Sequence, residues 1–264
     1  MLTEFFSREK IEYFSSLAYS DCRVIRPDII AREDFIPRSV IIYIIPYYAG
    51  VTVNISKYAA ARDYHIYVRA LNNRLIAELK SSYPENSFKG FGDSSPIDER
   101  MAALSAGLGI LGDNGLLINE KYGSYVFVAE IISDLAPEVL GVSMPKEPKY
   151  CEHCGECKKH CPTGHLENNC SECLSSITQK KGELSVDEVQ IMRKYGTVWG
   201  CDVCQDVCPH NKNPKITHIS FFREGRIEEL TDKVLDAMDK TTFSERAFSW
   251  RGRKTVERNL EYLK

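Results

Sequence analysis

The residue through which this 264-residue chain could first do chemistry is cysteine. "CEHCGECKKHCPTG" sets Cys151, Cys154, Cys157 and Cys161 in a Cys-x2-Cys-x2-Cys-x3-Cys-Pro run, and "CDVCQDVCPHN" adds Cys201, Cys204 and Cys208. Nine of the ten cysteines fall between Cys151 and Cys208, and only Cys22 lies outside. A disulfide framework would not be so lopsided, and clustered cysteines in a reducing compartment more often hold metal than each other. A four-iron cubane draws three thiolates from one tight loop and a fourth from elsewhere, so where two clusters share such runs the fourth cysteine crosses to the other cluster. By that pattern Cys151, Cys154 and Cys157 take Cys208 as their fourth ligand, while Cys161 joins Cys201 and Cys204. This second set lacks one ligand, and the intervening "CSEC" offers Cys170 or Cys173. Tetrahedral zinc sites also use sets of four cysteines, but three at successive intervals of three with a Cys-Pro end fit zinc poorly. His153, His160, His165 and His210 are read as surface or supporting residues. Two clusters make a path for single electrons, and the long segment before Cys151 should hold whatever those electrons reduce.

The elements that must position these residues are partly legible. Residues 7–18 look like an amphipathic helix, and "RSVIIYIIPYY" is a continuous apolar, β-branched run that predicts a buried strand ended by Pro46. From 61 to 80, Tyr64, Val68, Leu71, Leu75 and Leu79 recur at helical spacing. Ser95 is placed to cap a further helix with Pro96 at its first position. "GLLIN" and "SYVFVAEII" follow as strands. Further on, "SVDE" reads as a capping box opening a helix that Gly196 ends. These signals predict an α+β or α/β fold: a mixed domain over 1–145, a double-cluster module over 146–218 and a helical tail over 219–264.

Net charge is −3, which gives no global nucleic-acid signature, so any RNA contact must be local. The candidate patch is "RGRKTVER", with Arg251, Arg253, Lys254 and Arg258. The N-terminus shows no secretory signal pattern and no stretch has the apolar length to span a bilayer, so a cytoplasmic protein is expected. There is no Gly-x-Gly-x-x-Gly after an early strand and no Walker motif. The glycine-rich "SAGLGILGDNGLLI" lies between a helix and a strand, where bare backbone could lie against a flat cofactor or could form an ordinary loop with left-handed turns.

The order of "ISKYAAARDYH", "GDSSPIDERMAALSAGLGILGDNGLLIN", the first cysteine run, "CLSSITQKKG", "WGCDVCQDVCPHN" and "MDKTTFSERAFSWRGRKTVERNL" resembles the epoxyqueuosine reductases over nearly the whole chain. The resemblance implies a cobalamin between an N-terminal α/β domain and a ferredoxin-like module with two [4Fe-4S] clusters. It implies reduction of epoxyqueuosine in a tRNA with a GUN anticodon to queuosine, with electrons from a flavodoxin or ferredoxin. Asp93 matches the family's catalytic acid, which needs a pKa raised by burial to protonate the oxygen released from the epoxide. Tyr64, His65, Ser94, Gly107, Gly109, Gly112 and Asn114 fall on the implied cofactor site. The match also picks Cys173 as the missing cluster ligand and Cys170 as the spare. Many members continue into helical repeats that grip tRNA, so the resemblance reads this chain as a short form. The absence of an obvious interface helix suggests a monomer. Two other readings fit the same residues: a corrinoid and iron-sulfur reductase of a small molecule, akin to reductive dehalogenases, and an electron-transfer partner protein.

Overall fold

The computed structural model describes residues 1–168 and 172–264. The backbone divides into two units, one of residues 1–46 and 67–153 and the other of residues 47–66 and 154–264.

In the first unit the apolar run forms β2 (Ser39–Pro46), buried at all 8 positions. It pairs with β6 (Val126–Ser133) on one side and β1 (Phe14–Ala18) on the other, and β6 carries β3 (Phe88–Phe91), giving the order β1-β2-β6-β3. Every pairing is antiparallel, with Glu130 of β6 facing Ile42 in one direction and Phe91 in the other. A strand with no polar alternation must be covered on both faces. On one face α1 (Leu2–Arg8) brings Phe6 against Tyr43, and Tyr43 Oη donates to Asn72 Oδ1 of α2 (Tyr64–Ser82) at 2.7 Å. On the other, Ala102, Ala103 and Leu104 of α3 (Glu99–Ser105) pack with Val40, Ile42, Ile44, Val128 and Ile132. A two-stranded hairpin, β4 (Ile110–Leu111) and β5 (Leu117–Ile118), follows α3. The architecture is the α+β alternative among the expected classes.

Two local expectations are corrected. Residues 7–18 are not one helix: α1 ends at Arg8, Lys10 takes a left-handed φ of 59°, and Phe14–Ala18 pairs along β2. The ladder satisfies the backbone of β2, and that tertiary demand overrides a local period which either element could meet. The helix after the Asp93 segment starts at Glu99 and not at Ser95, with Asp98 Oδ1 accepting from the Met101 N–H at 3.3 Å. The Pro96 carbonyl instead accepts the N–H groups of Ile25 and Arg26, and Ile97 bridges to Val24, which holds the segment extended.

In the second unit Ser185 and Glu188 form the expected capping box at the start of α4 (Val186–Tyr195), and Gly196 ends it at φ 58°. The core gathers Val198, Trp199, Leu230, Phe248 and Val256, the last from α5 (Arg253–Tyr262). The strip 47–66 is stitched into this unit ahead of the second cysteine motif. Val198 N–H donates to the Asn54 carbonyl and Ser56 N–H to the Trp199 carbonyl, each at 2.7 Å. From α5, Asn259 Nδ2 donates to the carbonyls of Thr178 and Val198 at 2.7 and 2.8 Å. Among the described residues no helix is long and apolar enough to cross a membrane.

Candidate functional site

Of the eight motif cysteines other than Cys170, seven are partly buried and Cys154 is exposed. Cys170 lies outside the described residues. Short helical turns, Glu156–Lys159 and Val203–Asp206, present Cys157 and Cys204. Around Cys161, burial opposes the thiolate, but the backbone N–H groups of Leu166, Thr163 and His165 and the Thr163 hydroxyl point at the sulfur and hold its pKa below the ordinary value. Such N–H donors around a sulfur stabilise a metal-bound thiolate, so the residues present fit an iron-sulfur group. Cys201 moves the other way: burial, with the charges of Cys173 and Cys161 adding to it, pushes its thiol up to about 12. The structure therefore brings Cys161, Cys173 and Cys201 into one electrostatic neighbourhood, and a bound cation reverses the penalty for ionising them together.

Between two motif cysteines, Asp202 is buried and anchors the module. Its carboxylate accepts from Ser56 Oγ, from the Lys57 N–H at 2.7 Å and from Lys57 Nζ at 3.4 Å. Burial raises the Asp202 pKa, opposed by Lys57 and Ser56. Lys57 loses ground by burial, but Asp202 and Asp206 more than offset it and leave its pKa raised. Cys22, by contrast, is a core residue whose thiol burial pushes up to about 12.

The histidines are held by neighbours. His153 Nδ1 pairs with Asp113 Oδ1 at 2.7 Å, and His160 Nδ1 lies 3.0 Å from the Glu156 carbonyl. Asp113, Cys151 and His153 bring one ligand atom each within 4.8 Å of one another. His65 Nδ1 pairs with Asp63 Oδ1 at 2.7 Å, and its ring stacks on Tyr64 with centroids 4.1 Å apart. Both rings are half-buried.

In the first unit Asp93 and Ser94 are exposed on the loop between β3 and α3, and Asp93 takes a left-handed φ of 73°. A non-glycine residue in that region is uncommon and marks a backbone held by its surroundings. The Asp93 N–H donates to Glu99 Oε2 at 3.2 Å. Burial, with the charges of Glu130 and Asp93 adding to it, pushes Glu99 up to about 8. Glu130 is fully buried and its pKa rises to about 7 through burial. Neither of its carboxylate oxygens has a hydrogen-bond partner; the Ser95 side chain faces it and favours the anion without meeting hydrogen-bond geometry. Sequence reasoning missed both glutamates. The available signal was a carboxylate in the middle of "SYVFVAEIIS", where every neighbour asks to be buried.

The glycine loop is used largely within the protein. A side chain at Gly109 would meet the Ile118 carbonyl at 2.5 Å, because the loop lies directly on β5. Gly112 abuts Asn114, whose Oδ1 accepts from the Leu116 N–H, and Gly107 abuts Lys146. In the basic tail, Arg253 donates to the carbonyls of Leu235 and Met238, and Arg258 to that of Gly182, so both serve as internal ties. Arg251 instead lies over the exposed Trp250 ring at 3.8 Å.

The thiol set defines a protein carrying two iron-sulfur clusters: residues 150–211 match the family model described as a 4Fe-4S double cluster binding domain. The chain is 33% identical over 222 residues to an epoxyqueuosine reductase of Cyclobacterium marinum, covering 80% of this chain and 69% of that one. It is 35% identical over 208 residues to the Bacillus subtilis epoxyqueuosine reductase, covering 75% and 52% respectively, so it spans about half the length of that relative. The chain belongs to the epoxyqueuosine reductase family. In fold it is similar to a selenomethionine-labelled epoxyqueuosine reductase with a TM-score of 0.81 at 24% identity, covering 99% of this chain and 80% of that one. It is also similar to one solved with an epoxyqueuosine-modified tRNA-Tyr stem loop, with a TM-score of 0.78 at 23% identity and the same coverage.

Proposed function

We propose that this chain is a cytoplasmic, monomeric enzyme that reduces epoxyqueuosine in the wobble position of a GUN-anticodon tRNA to queuosine. Membership of the family, carried by a relative matched over 69% of its length, is the observation on which this rests. Cys151, Cys154, Cys157 and Cys208 hold one cluster, and Cys161, Cys173, Cys201 and Cys204 the other. A flavodoxin or ferredoxin supplies single electrons to them. Cobalamin, when bound, supplies the low-potential reduction that side chains cannot perform. The stacked, half-buried Tyr64 and His65 rings offer a flat surface suited to a planar macrocycle, with Asp63 fixing the histidine. Ser94, Gly107, Gly109, Gly112 and Asn114 are assigned to the same cofactor by their place in the family pattern.

Asp93 donates the proton to the oxygen released from the epoxide. Asp93 is exposed, so the burial that raises its pKa would come from the bound cofactor and substrate, and the Glu99 contact on its N–H holds the loop from behind. The Arg251–Trp250 stack presents a cation and an aromatic face, the pairing that suits a phosphate and a neighbouring base.

The test is a reaction of the anaerobically reconstituted protein with cobalamin and a low-potential reductant. It is run on an epoxyqueuosine-bearing stem loop and, separately, on the free nucleoside. Conversion of the stem loop, read by nucleoside mass spectrometry, is expected. Conversion of the free nucleoside alone would replace the tRNA reading with a small-molecule one.

A further inference from the structure

The buried carboxyls behind Asp93 have no part in the role just given to that residue, yet the stoichiometry of the reaction calls for them. Taking the epoxide oxygen away as water consumes two electrons and two protons: the epoxide plus two electrons plus two protons gives the alkene plus water. The first proton goes to the oxygen as one carbon–oxygen bond breaks, and the second lets that oxygen leave as water when the other breaks. A single carboxyl at the reacting oxygen holds one proton, so it must be recharged within the turnover.

The structure places a store directly behind it. Glu99 Oε2 accepts the Asp93 N–H at 3.2 Å, so the two residues are in contact. Glu99 in turn is close enough to Glu130 to feel its charge, and Glu130 is fully buried on β6 with both carboxylate oxygens unpartnered. An ionised carboxylate without a partner is very costly at such a site, and two carboxyls this close do not ionise together. The groups that face the pair come from several elements: Asp93 and Ser95 from the loop, and Arg100 from α3. Cys22, after β1, and Tyr43, on β2, also feel the Glu130 charge. Arg100, exposed on the outer side of α3, is the one cation in that set.

We propose that Glu99 and Glu130 hold one exchangeable proton between them and pass it to Asp93 between the two protonations of a turnover. This inference rests on the proposed epoxide reduction. Asp93 protonates the first-released oxygen and becomes a carboxylate. The pair then gives up its proton to Asp93 and carries the charge instead. Asp93 protonates the departing hydroxyl, and both stores refill from water through partly exposed Glu99 and exposed Asp93. The two electrons are those that a low-potential donor protein would supply, with the cysteine-held clusters, when bound, furnishing the one-electron chemistry. Glu99 and Glu130 are thus positioning residues that act through Asp93.

The test uses the reconstituted holoenzyme with wild type, Glu130→Gln, Glu99→Gln and the double variant. Infrared spectra in D2O at neutral pH should show a protonated-carboxyl band in wild type that is absent from the Glu99→Gln/Glu130→Gln double variant. Glutamine is nearly isosteric at a position without hydrogen bonds, so Glu130→Gln is expected to fold. In stem-loop reduction its kcat should fall about tenfold and its alkaline limb should move down by about one pH unit, since the neighbouring charge that raises Glu99 is gone. KM for the stem loop should stay unchanged, and Glu130→Asp should restore part of kcat. A wild-type spectrum without the band overturns the shared proton. A band with a wild-type pH profile in Glu130→Gln overturns the relay. A band with no stem-loop reduction by wild type removes the functional reading, and the relay with it, while leaving the shared proton standing.

Discussion

The cysteine segment and the carboxylate loop control charge in opposite ways. Around Cys161 the chain gathers backbone N–H groups within a few residues of the sulfur, so the thiolate is stabilised by its own local turn. Around Asp93 the decisive groups come from β6 and α3, and burial outweighs the hydrogen bond that Glu99 accepts from the Asp93 N–H. One region binds an anion ready for a cation, while the other keeps acids protonated. The difference teaches that donors can be arranged by sequence neighbours, whereas desolvation needs the whole sheet and its covering helix.

The sharpest way to break the comparison is at the cysteines. Cys204→Ser should lower iron from about eight atoms per chain to about half or less, as one four-iron cluster is lost, and abolish stem-loop reduction. Iron analysis beside the activity assay checks this. At the anchor between them, Asp202→Ala takes from the nearly buried Lys57 ammonium its buried carboxylate partner, while Asp206 on its other side is exposed. Breaking a buried pair from one side should reduce stability by about 3 kcal/mol, read from denaturant midpoints.

The carboxylate region is sharpened by pH. Glu130 has its folded-state pKa raised above the ordinary value, so the folded state binds its proton more tightly. That stability is fully present below the unfolded pKa and is lost as pH rises to about 7. The loss is on the order of 3 kcal/mol and should be absent in Glu130→Gln, so the difference between variant and wild-type melting temperatures should grow from pH 4.5 to pH 8. Gly109→Ala drives a methyl group into the Ile118 carbonyl and should destabilise by about 2 kcal/mol in the same assay. The smallest effect is expected from Ser185→Ala, which removes the α4 cap and about 1 kcal/mol.

Much of the framework is legible without coordinates where the signal is local. The unbroken apolar run of β2, the period of α2 and the Ser185–Glu188 box each encode their element within a few residues. The first eighteen residues are not legible in this way, because a spacing that suits a helix also suits an edge strand once β2 offers its backbone. Ser95 and Asp98 are both competent caps, and the hydrogen bonds from Ile25 and Arg26 to Pro96 decide between them. The cysteine runs announce their chemistry by spacing alone. Asp93 is picked out only by its place in a family pattern, and Glu130 by nothing but its apolar neighbours, since its proximity to Glu99 is created by folding. Likewise the basic tail reads as one patch, yet Arg253 and Arg258 turn inward to carbonyls and leave Arg251 on Trp250.

The measurement that bears most directly on the central claim compares wild type with Asp93→Asn in anaerobic reduction of the epoxyqueuosine stem loop. Iron and cobalamin content are determined on the same samples. Unchanged cofactor loading with a loss of about 100-fold or more in conversion is the predicted result, since asparagine keeps the loop contact but cannot donate the proton. Conversion at the wild-type rate by Asp93→Asn would contradict it and remove the acid from the account.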